Sequence, residues 1–118
     1  MLLCKLLLCN SSAFEKSVKL HSILKSFESK DKWVTAICAS PIALKAAKIG
    51  LKKRLTSYPS FQKDLQDAYQ YLQDRVVIDG KLITSRGPGT SFDFAYALVG
   101  VLVNDDMVQT IKSGMCFQ

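Results

Sequence analysis

One segment, Trp33–Gly50, constrains the fold of this chain more than any other. It opens with the apolar run Trp33–Ile37, which is short and typical of a buried strand. Cys38 follows at a sharp corner, and the residues after it have the pattern of a helix. A buried strand that turns directly into a helix is the repeating unit of an α/β fold with a largely parallel sheet. The segment therefore predicts the fold class and singles out one residue.

The corner places Cys38 where its thiol can become reactive. Ser40 is a favourable N-cap residue, Pro41 suits the first helical position, and Gly50 is predicted to end the helix as its C′ residue. Converging backbone N–H groups and the positive end of the helix dipole both favour a thiolate. A free cysteine is also a common small buried residue, so position alone leaves a reactive and a structural role open.

The rest of the chain alternates between helical and extended patterns. Apolar residues recur at helical spacing from Phe14 to Phe27, and Asp79-Gly80 is a strong signal for a tight turn between two strands. The other predicted elements, in chain order, are a buried strand in Met1–Cys9, a helix after Asn10 capped by Ser11 or Ser12, a strand Arg54–Tyr58, a helix from Phe61 to about Gln73, strands Arg75–Ile78 and Leu82–Thr84, a helix Phe92–Val103 capped by Thr90 or Ser91, and a helix Asp106–Lys112. The helix Phe92–Val103 is apolar nearly all round, so we expect it to be buried.

Size and charge argue against several classes of protein. The chain has 118 residues, which suffices for one domain, and its longest apolar run is far shorter than a membrane span needs. The net charge of +6 comes mainly from lysines in the first half of the chain. Because no aromatic residues interleave with these lysines, solvated helix faces are favoured over a nucleic-acid surface.

Cysteine and histidine positions bear on metals and on the cellular compartment. Cys4, Cys9, Cys38 and Cys116 show no spacing suited to a metal, and His21 is the only histidine. We therefore expect no metal site and no cofactor. The cysteine content is too low for a secreted disulfide scaffold, which predicts a reducing compartment such as the cytoplasm. His21 falls among polar positions and is predicted to lie at the surface.

Two motifs carry a resemblance to a known family. The first is Ala36–Pro41, Ala-Ile-Cys-Ala-Ser-Pro, and the second is the glycine-rich stretch Asp79–Ala95, Asp-Gly-Lys-Leu-Ile-Thr-Ser-Arg-Gly-Pro-Gly-Thr-Ser-Phe-Asp-Phe-Ala. Together, in this order and separation, they strongly resemble the ThiJ/PfpI family, in the branch of the parkinsonism-associated protein deglycase (the DJ-one proteins). The likeness runs from about Phe14 to the C-terminus.

The resemblance implies a fold, a site and a set of partners. The fold is a flavodoxin-like, doubly wound parallel sheet of the class I glutamine amidotransferase-like kind, assembled as a homodimer. Cys38 is implied as the nucleophile on an elbow between strand and helix, with the backbone N–H of Ala39 in an oxyanion pocket. Family members are described as glyoxalases and deglycases acting on methylglyoxal and its adducts, and as oxidative-stress sensors and chaperones. The implied partners are a small aldehyde or a glycated protein, in the cytoplasm and also the nucleus or mitochondrion.

The chain departs from the family pattern at three points. The family has an upstream glutamate that hydrogen-bonds the cysteine, and a glycine pair where this chain reads Leu-Leu-Leu-Cys-Asn at residues 6–10. Many members carry a histidine before a proline where this chain has Tyr58 before Pro59, so Tyr58 becomes the candidate proton donor. The first two departures predict a partial, N-terminally truncated domain over residues 1–118 that lacks its first strands.

Three functions therefore stay open at this point. The chain is a glyoxalase or deglycase that uses Cys38, or a redox sensor or chaperone-like protein without turnover, or an inactive truncated paralogue. Arg86 and Pro88, in the glycine-rich loop, are by resemblance candidate contacts with a dimer partner or with the site itself. The missing glutamate favours the second and third functions, whereas the family likeness favours the first.

Overall fold

A computed structural model describes residues 2–6 and 11–116 as a mixed α/β fold, which confirms the predicted class. Its strands are β1 (Leu2–Leu6), β2 (Val34–Cys38), β3 (Arg54–Leu55), β4 (Gln70–Tyr71), β5 (Val76–Asp79) and β6 (Leu82–Ser85). Its helices are α1 (Ser11–Lys16), α2 (Val18–Ser29), α3 (Pro41–Ala46), α4 (Gln62–Leu65), α5 (Ser91–Leu102) and α6 (Asp105–Gly114), with 3₁₀ turns at Pro59–Phe61 and Pro88–Thr90. None of the helices in this part of the chain is both long and apolar enough to cross a bilayer.

The main sheet has the strand order β1-β2-β6-β5. Strands β1, β2 and β6 run parallel, and β5 joins the edge as the antiparallel partner of β6. The predicted tight turn is present: Asp79 pairs with Leu82, and Gly80 takes the left-handed conformation (φ +60°) that glycine tolerates. The Arg54 N–H donates to the Asp79 carboxylate at 2.9 Å and lowers the pKa of Asp79. The sheet is largely parallel, as the alternation of elements predicts.

Helices cover both faces of this sheet, as in a doubly wound fold. The first face carries a buried cluster from α2, α3 and the sheet: Leu24, Val34, Ala36, Leu44, Ala47, Ile49 and Leu82. The second face carries a buried cluster beneath α5: Ile37, Cys38, Ile83 and Phe94. Neighbouring residues such as Leu82 and Ile83 pack on opposite faces because side chains alternate along a strand. Cys38 thus lies on the α5 side of the sheet.

The predicted helix from Phe61 to about Gln73 forms only in its first part. Helix α4 ends at Leu65, and Gln70–Tyr71 instead pairs in parallel with Arg54–Leu55, the only part of the predicted strand Arg54–Tyr58 that forms one. The Tyr69 hydroxyl donates to the buried Ile49 carbonyl at 2.7 Å. Long-range pairing and burial override the local helical spacing here.

Two helix boundaries also differ from prediction. The helix expected after Asn10 divides at Ser17, whose Oγ accepts a hydrogen bond from the Leu20 N–H at 3.2 Å and caps a second helix. Helix α3 ends before Gly50. Lys48 (φ +58°) takes the left-handed C′ position, and the Ile49 N–H bonds back to the Leu44 carbonyl at 2.9 Å. Lysine therefore replaces the expected glycine at this helix end.

Helix α5 is less buried than its apolar sequence predicts. Phe94 and Tyr96 are buried, but Phe92 and Leu102 are each about half exposed, at 48% and 49%. The following helix α6 begins one residue earlier than expected, because the Asn104 side chain accepts a hydrogen bond from the Met107 N–H at 2.8 Å. An apolar surface on α5 stays exposed in the single chain.

Candidate active site

Cys38 is the last residue of β2 and lies at the predicted corner, one residue beyond the expected strand end at Ile37. Its backbone is left-handed, with φ +66°, a conformation that costs a residue with a side chain about 1–2 kcal/mol. The thiol is free, and the residue exposes only 6% of its surface. Strain of this kind at a strand-to-helix turn is typical of a nucleophile elbow.

Ser40 locks this corner in a way that the sequence pattern does not predict. It occupies the N-cap position of α3, but its side chain makes no capping bond. Its Oγ instead donates to the Ile37 carbonyl at 2.7 Å and accepts from the Ile37 N–H at 2.9 Å. Pro41 begins the helix as expected. The hydrogen bonds of Ser40 to Ile37 and the start of α3 at Pro41 together fix the backbone on either side of Cys38.

Ala39 carries the backbone N–H that the family resemblance assigns to the oxyanion pocket. The residue is buried, at 1% exposure, directly before α3. No turn, loop or cap hydrogen bond is made by this N–H within residues 11–116. A backbone N–H next to a strained cysteine is suited to stabilise a developing negative charge.

Tyr58 lies beside Cys38, but through its main chain. The Tyr58 N–H donates to the Cys38 carbonyl at 2.8 Å, and this bond ties the segment after β3 to the elbow. The side chain is 37% exposed, and its ring lies next to Gly87. The Tyr71 hydroxyl donates at 3.1 Å to the carbonyl of Ser57, the residue before Tyr58, and this bond fixes the backbone that leads to Tyr58.

The Thr90 side chain forms hydrogen bonds within the glycine-rich loop. This role differs from the helix cap that the sequence predicts. Its hydroxyl lies 2.7 Å from the Ser85 Oγ and accepts from the Gly87 N–H at 3.1 Å. The Ser85 hydroxyl also donates to the Arg75 carbonyl at 2.7 Å, and the Thr90 hydroxyl lies 3.0 Å from the Gly87 carbonyl, to which it can donate. Thr90 occupies the N-cap position of α5 without a side-chain capping bond. The spacing of two hydroxyl residues around the glycines is the only sequence signal for this network.

Arg86 and Pro88 have different environments in the loop. The Arg86 guanidinium donates to the Gln73 carbonyl at 3.0 Å and to the Gln73 Oε1 at 2.8 Å, so it is engaged within the chain. Pro88 is exposed at the start of a 3₁₀ turn. Pro88 is therefore the more accessible of the two candidate contacts with a partner.

The remaining candidates for site chemistry lie elsewhere. His21 is half-buried rather than fully at the surface, and its Nε2 is shielded from solvent. In the described part of the chain, no group of three His, Cys, Asp or Glu side chains could hold a metal ion. Cys116 is exposed at the end of the described chain, and Cys9 lies outside the described residues.

The strain at Cys38 is testable by comparing two small substitutions. Glycine in place of alanine usually costs about 0.5–1 kcal/mol, but a left-handed backbone favours glycine by about 1–2 kcal/mol. We expect Cys38→Gly to equal or exceed Cys38→Ala in urea unfolding midpoint. Ala39→Gly is the control, since Ala39 is not left-handed and should show the usual loss. The strain would be disproved if Cys38→Gly fell below Cys38→Ala by the margin seen at Ala39.

The sequence of the chain matches a known protein family. The model of the DJ-1/PfpI family matches residues 9–100. The chain is 40% identical over 106 residues to the protein dj-1beta of Drosophila melanogaster, covering 89% of this chain and 57% of that protein. It is 34% identical over 97 residues to the glutathione-independent glyoxalase DJR-1.2 of Caenorhabditis elegans, covering 82% of this chain and 52% of that protein.

Comparison with solved structures identifies a member of the same family. The crystal structure of Drosophila melanogaster DJ-1beta superposes with a TM-score of 0.91 at 38% identity, covering 98% of this chain and 64% of the solved one. The chain spans about half the length of the curated relatives it matches.

Proposed function

Because the chain belongs to the DJ-1/PfpI family, we propose that it acts as a cysteine-dependent glyoxalase or deglycase on methylglyoxal and its adducts. Cys38 is the nucleophile of this proposal. The observation that carries it is the left-handed Cys38 at the end of β2, directly before the buried Ala39. The glyoxalase name of a relative that matches most of this chain supports the reaction class.

The proposed reaction starts at the aldehyde carbon of methylglyoxal. The Cys38 sulfur forms a bond to this carbon, the C=O electron pair moves onto oxygen, and that oxygen takes up a proton to give a hemithioacetal. The Ala39 N–H stabilises the oxygen while its negative charge develops. The proton on the hemithioacetal carbon moves to the neighbouring carbonyl carbon, and the hydroxyl proton moves to the oxygen of that carbonyl, which yields a lactate thioester. Water then cleaves the thioester, which releases lactate and returns the thiol.

The proton steps need a group near Cys38, and Tyr58 is the proposed donor. Its backbone is tied to Cys38, and its side chain reaches the loop at Gly87. A phenol that is partly exposed can exchange protons with water and pass one to the hemithioacetal oxygen. The same loop presents Pro88, and the helix α5 that follows it presents the half-exposed Phe92; we assign both residues to a contact with a second copy of the chain.

The proposed function predicts turnover that needs no thiol cofactor. We expect the purified chain to convert methylglyoxal to lactate without glutathione, and to sediment as a dimer during the same measurement. Cys116→Ser is the matched control: it removes the exposed thiol and should keep the rate. Lactate formation at the buffer rate by the folded chain would contradict the reaction, and a monomer with full activity would contradict only the assembly.

A further inference from the structure

The turn at Cys38 places a residue with a side chain where glycine is usual. The Ser40 N–H donates to the Ile37 carbonyl at 3.2 Å, so residues 37–40 form a four-residue turn with Cys38 as its second residue. A positive φ at this position of a turn, here +66°, is mostly adopted by glycine, asparagine and aspartate. Cysteine holds such a conformation only where the surrounding structure supports it.

The Ser40 side chain supplies this support on one side of Cys38. Its Oγ donates to the Ile37 carbonyl at 2.7 Å and accepts from the Ile37 N–H at 2.9 Å. Ser40 is 1% exposed, so water does not compete for these two bonds. On the other side, the Tyr58 N–H donates to the Cys38 carbonyl at 2.8 Å. The peptide groups before and after Cys38 are therefore both held, and Ser40 holds the first of them through its side chain.

Ser40 differs in this respect from an ordinary helix cap. Ser17, at the N-cap of α2, accepts a hydrogen bond from the Leu20 N–H, three residues further along the chain. Ser40 has the same position before α3, but its hydroxyl bonds to Ile37, three residues back. The hydroxyl therefore acts on the corner that contains Cys38.

The location of the strain also sets Cys38 apart. In residues 2–6 and 11–116, the residues other than glycine with a left-handed backbone are Asp31, Cys38, Lys48, Lys52 and Cys116. Cys38 is buried, whereas the other four are exposed. A strained backbone that persists in the interior is held there by its neighbours, and such positions are concentrated at functional sites.

From this arrangement we propose that Ser40 is a positioning residue for the Cys38 thiol. Its hydroxyl orients the peptide group between Ile37 and Cys38, keeps Cys38 left-handed, and so fixes where the sulfur lies. Without the hydroxyl, the backbone at position 38 relaxes toward the right-handed or extended conformations that a residue with a side chain prefers. The inference rests on the proposed role of Cys38 as a nucleophile, but not on the identity of the substrate.

The positioning role predicts a less reactive thiol when the Ser40 hydroxyl is removed. The measurement is the rate at which iodoacetamide alkylates Cys38 in the folded chain, followed by peptide mass spectrometry and divided by the rate at the exposed Cys116. We expect Ser40→Ala to lower this ratio about tenfold, which corresponds to about 1.4 kcal/mol and so to roughly one buried hydrogen bond. Ser17→Ala removes the N-cap hydroxyl of α2 and is the matched control, for which we expect the native ratio.

The outcomes of this measurement separate the two proposals. An unchanged or higher ratio in Ser40→Ala would overturn the positioning role. A tenfold loss in a native chain that forms no lactate would support the positioning role and contradict only the proposed reaction.

Urea unfolding midpoints test the same role without any reaction at sulfur. Ser40→Ala lets the backbone at position 38 relax, so the strain that Cys38→Gly relieves is already absent. In the Ser40→Ala background, Cys38→Gly should therefore fall below Cys38→Ala by the usual glycine penalty. An unchanged difference between these two variants in both backgrounds would overturn the proposal. If Ser40→Ala does not fold, Ser40→Cys takes its place, because a thiol is a weaker donor and acceptor than a hydroxyl, and it should shift the difference in the same direction.

Discussion

Cys38→Ser is expected to lower the rate of lactate formation from methylglyoxal by about a thousandfold or more, as removal of a covalent nucleophile does in other enzymes. The hydroxyl of serine is a far weaker nucleophile than a thiolate. Serine is close to cysteine in size and should keep the backbone at φ +66°. The measurement is the initial rate of both proteins at equal concentration, with circular dichroism to confirm that both are folded.

The same pair of proteins distinguishes the alternative functions. Background rates in both, combined with oxidation of Cys38 by peroxide before Cys116, would favour a redox sensor over an enzyme. The 6% exposure of Cys38 makes such selectivity a demanding result, because Cys116 is the exposed thiol of the two. Background rates without preferential oxidation of Cys38 would leave an inactive paralogue.

Thr90→Val is expected to lower the free energy of unfolding by roughly 3 kcal/mol, since each buried group left without a partner costs about 1–3 kcal/mol. The substitution keeps the shape of the side chain but removes the hydroxyl that accepts from the Gly87 N–H and hydrogen-bonds with the Ser85 Oγ and the Gly87 carbonyl. Gly87 and Ser85 are both buried, so water does not replace the lost bonds without opening the loop. Urea denaturation followed by far-UV circular dichroism measures the change.

Thr110→Val provides the comparison for this effect. Thr110 lies on the exposed surface of α6, where its hydroxyl donates to the Asp106 carbonyl at 3.0 Å. Loss of an exposed bond of this kind should change stability by about 0.5 kcal/mol or less. If Thr90→Val and Thr110→Val were equally stable, the loop would be held by its glycines and proline rather than by the Thr90 hydroxyl.

Elements in which the conformational preferences of adjacent residues favour the same structure as the tertiary contacts are predictable from sequence. The buried strand before Cys38, the proline at the start of α3 and the Asp79-Gly80 turn all form as expected, within one or two residues. Each depends on the conformational preferences of a few adjacent residues. Cys38 at the corner follows from the same local argument, and the two motifs place it in a family.

Elements that depend on distant partners are not predictable in this way. Apolar residues in the segment 61–73 do recur at helical spacing. The Tyr69 hydroxyl nevertheless donates to the Ile49 carbonyl, and Gln70–Tyr71 pairs as a strand with Arg54–Leu55, 16 residues earlier in the chain. The apolar sequence of α5 suggested burial, but Phe92 stays exposed because only one side of that helix faces the sheet.

The sequence by itself determined the α/β class, the corner at Cys38 and the family, because short-range preferences and two contiguous motifs carry that information. Only the tertiary structure decided what surrounds Cys38: the left-handed strain, the Ser40 lock on Ile37, the Tyr58 N–H on its carbonyl and the Thr90 network in the adjoining loop. The Tyr58 contact joins residues 20 positions apart in the chain, so it exists only in the folded structure.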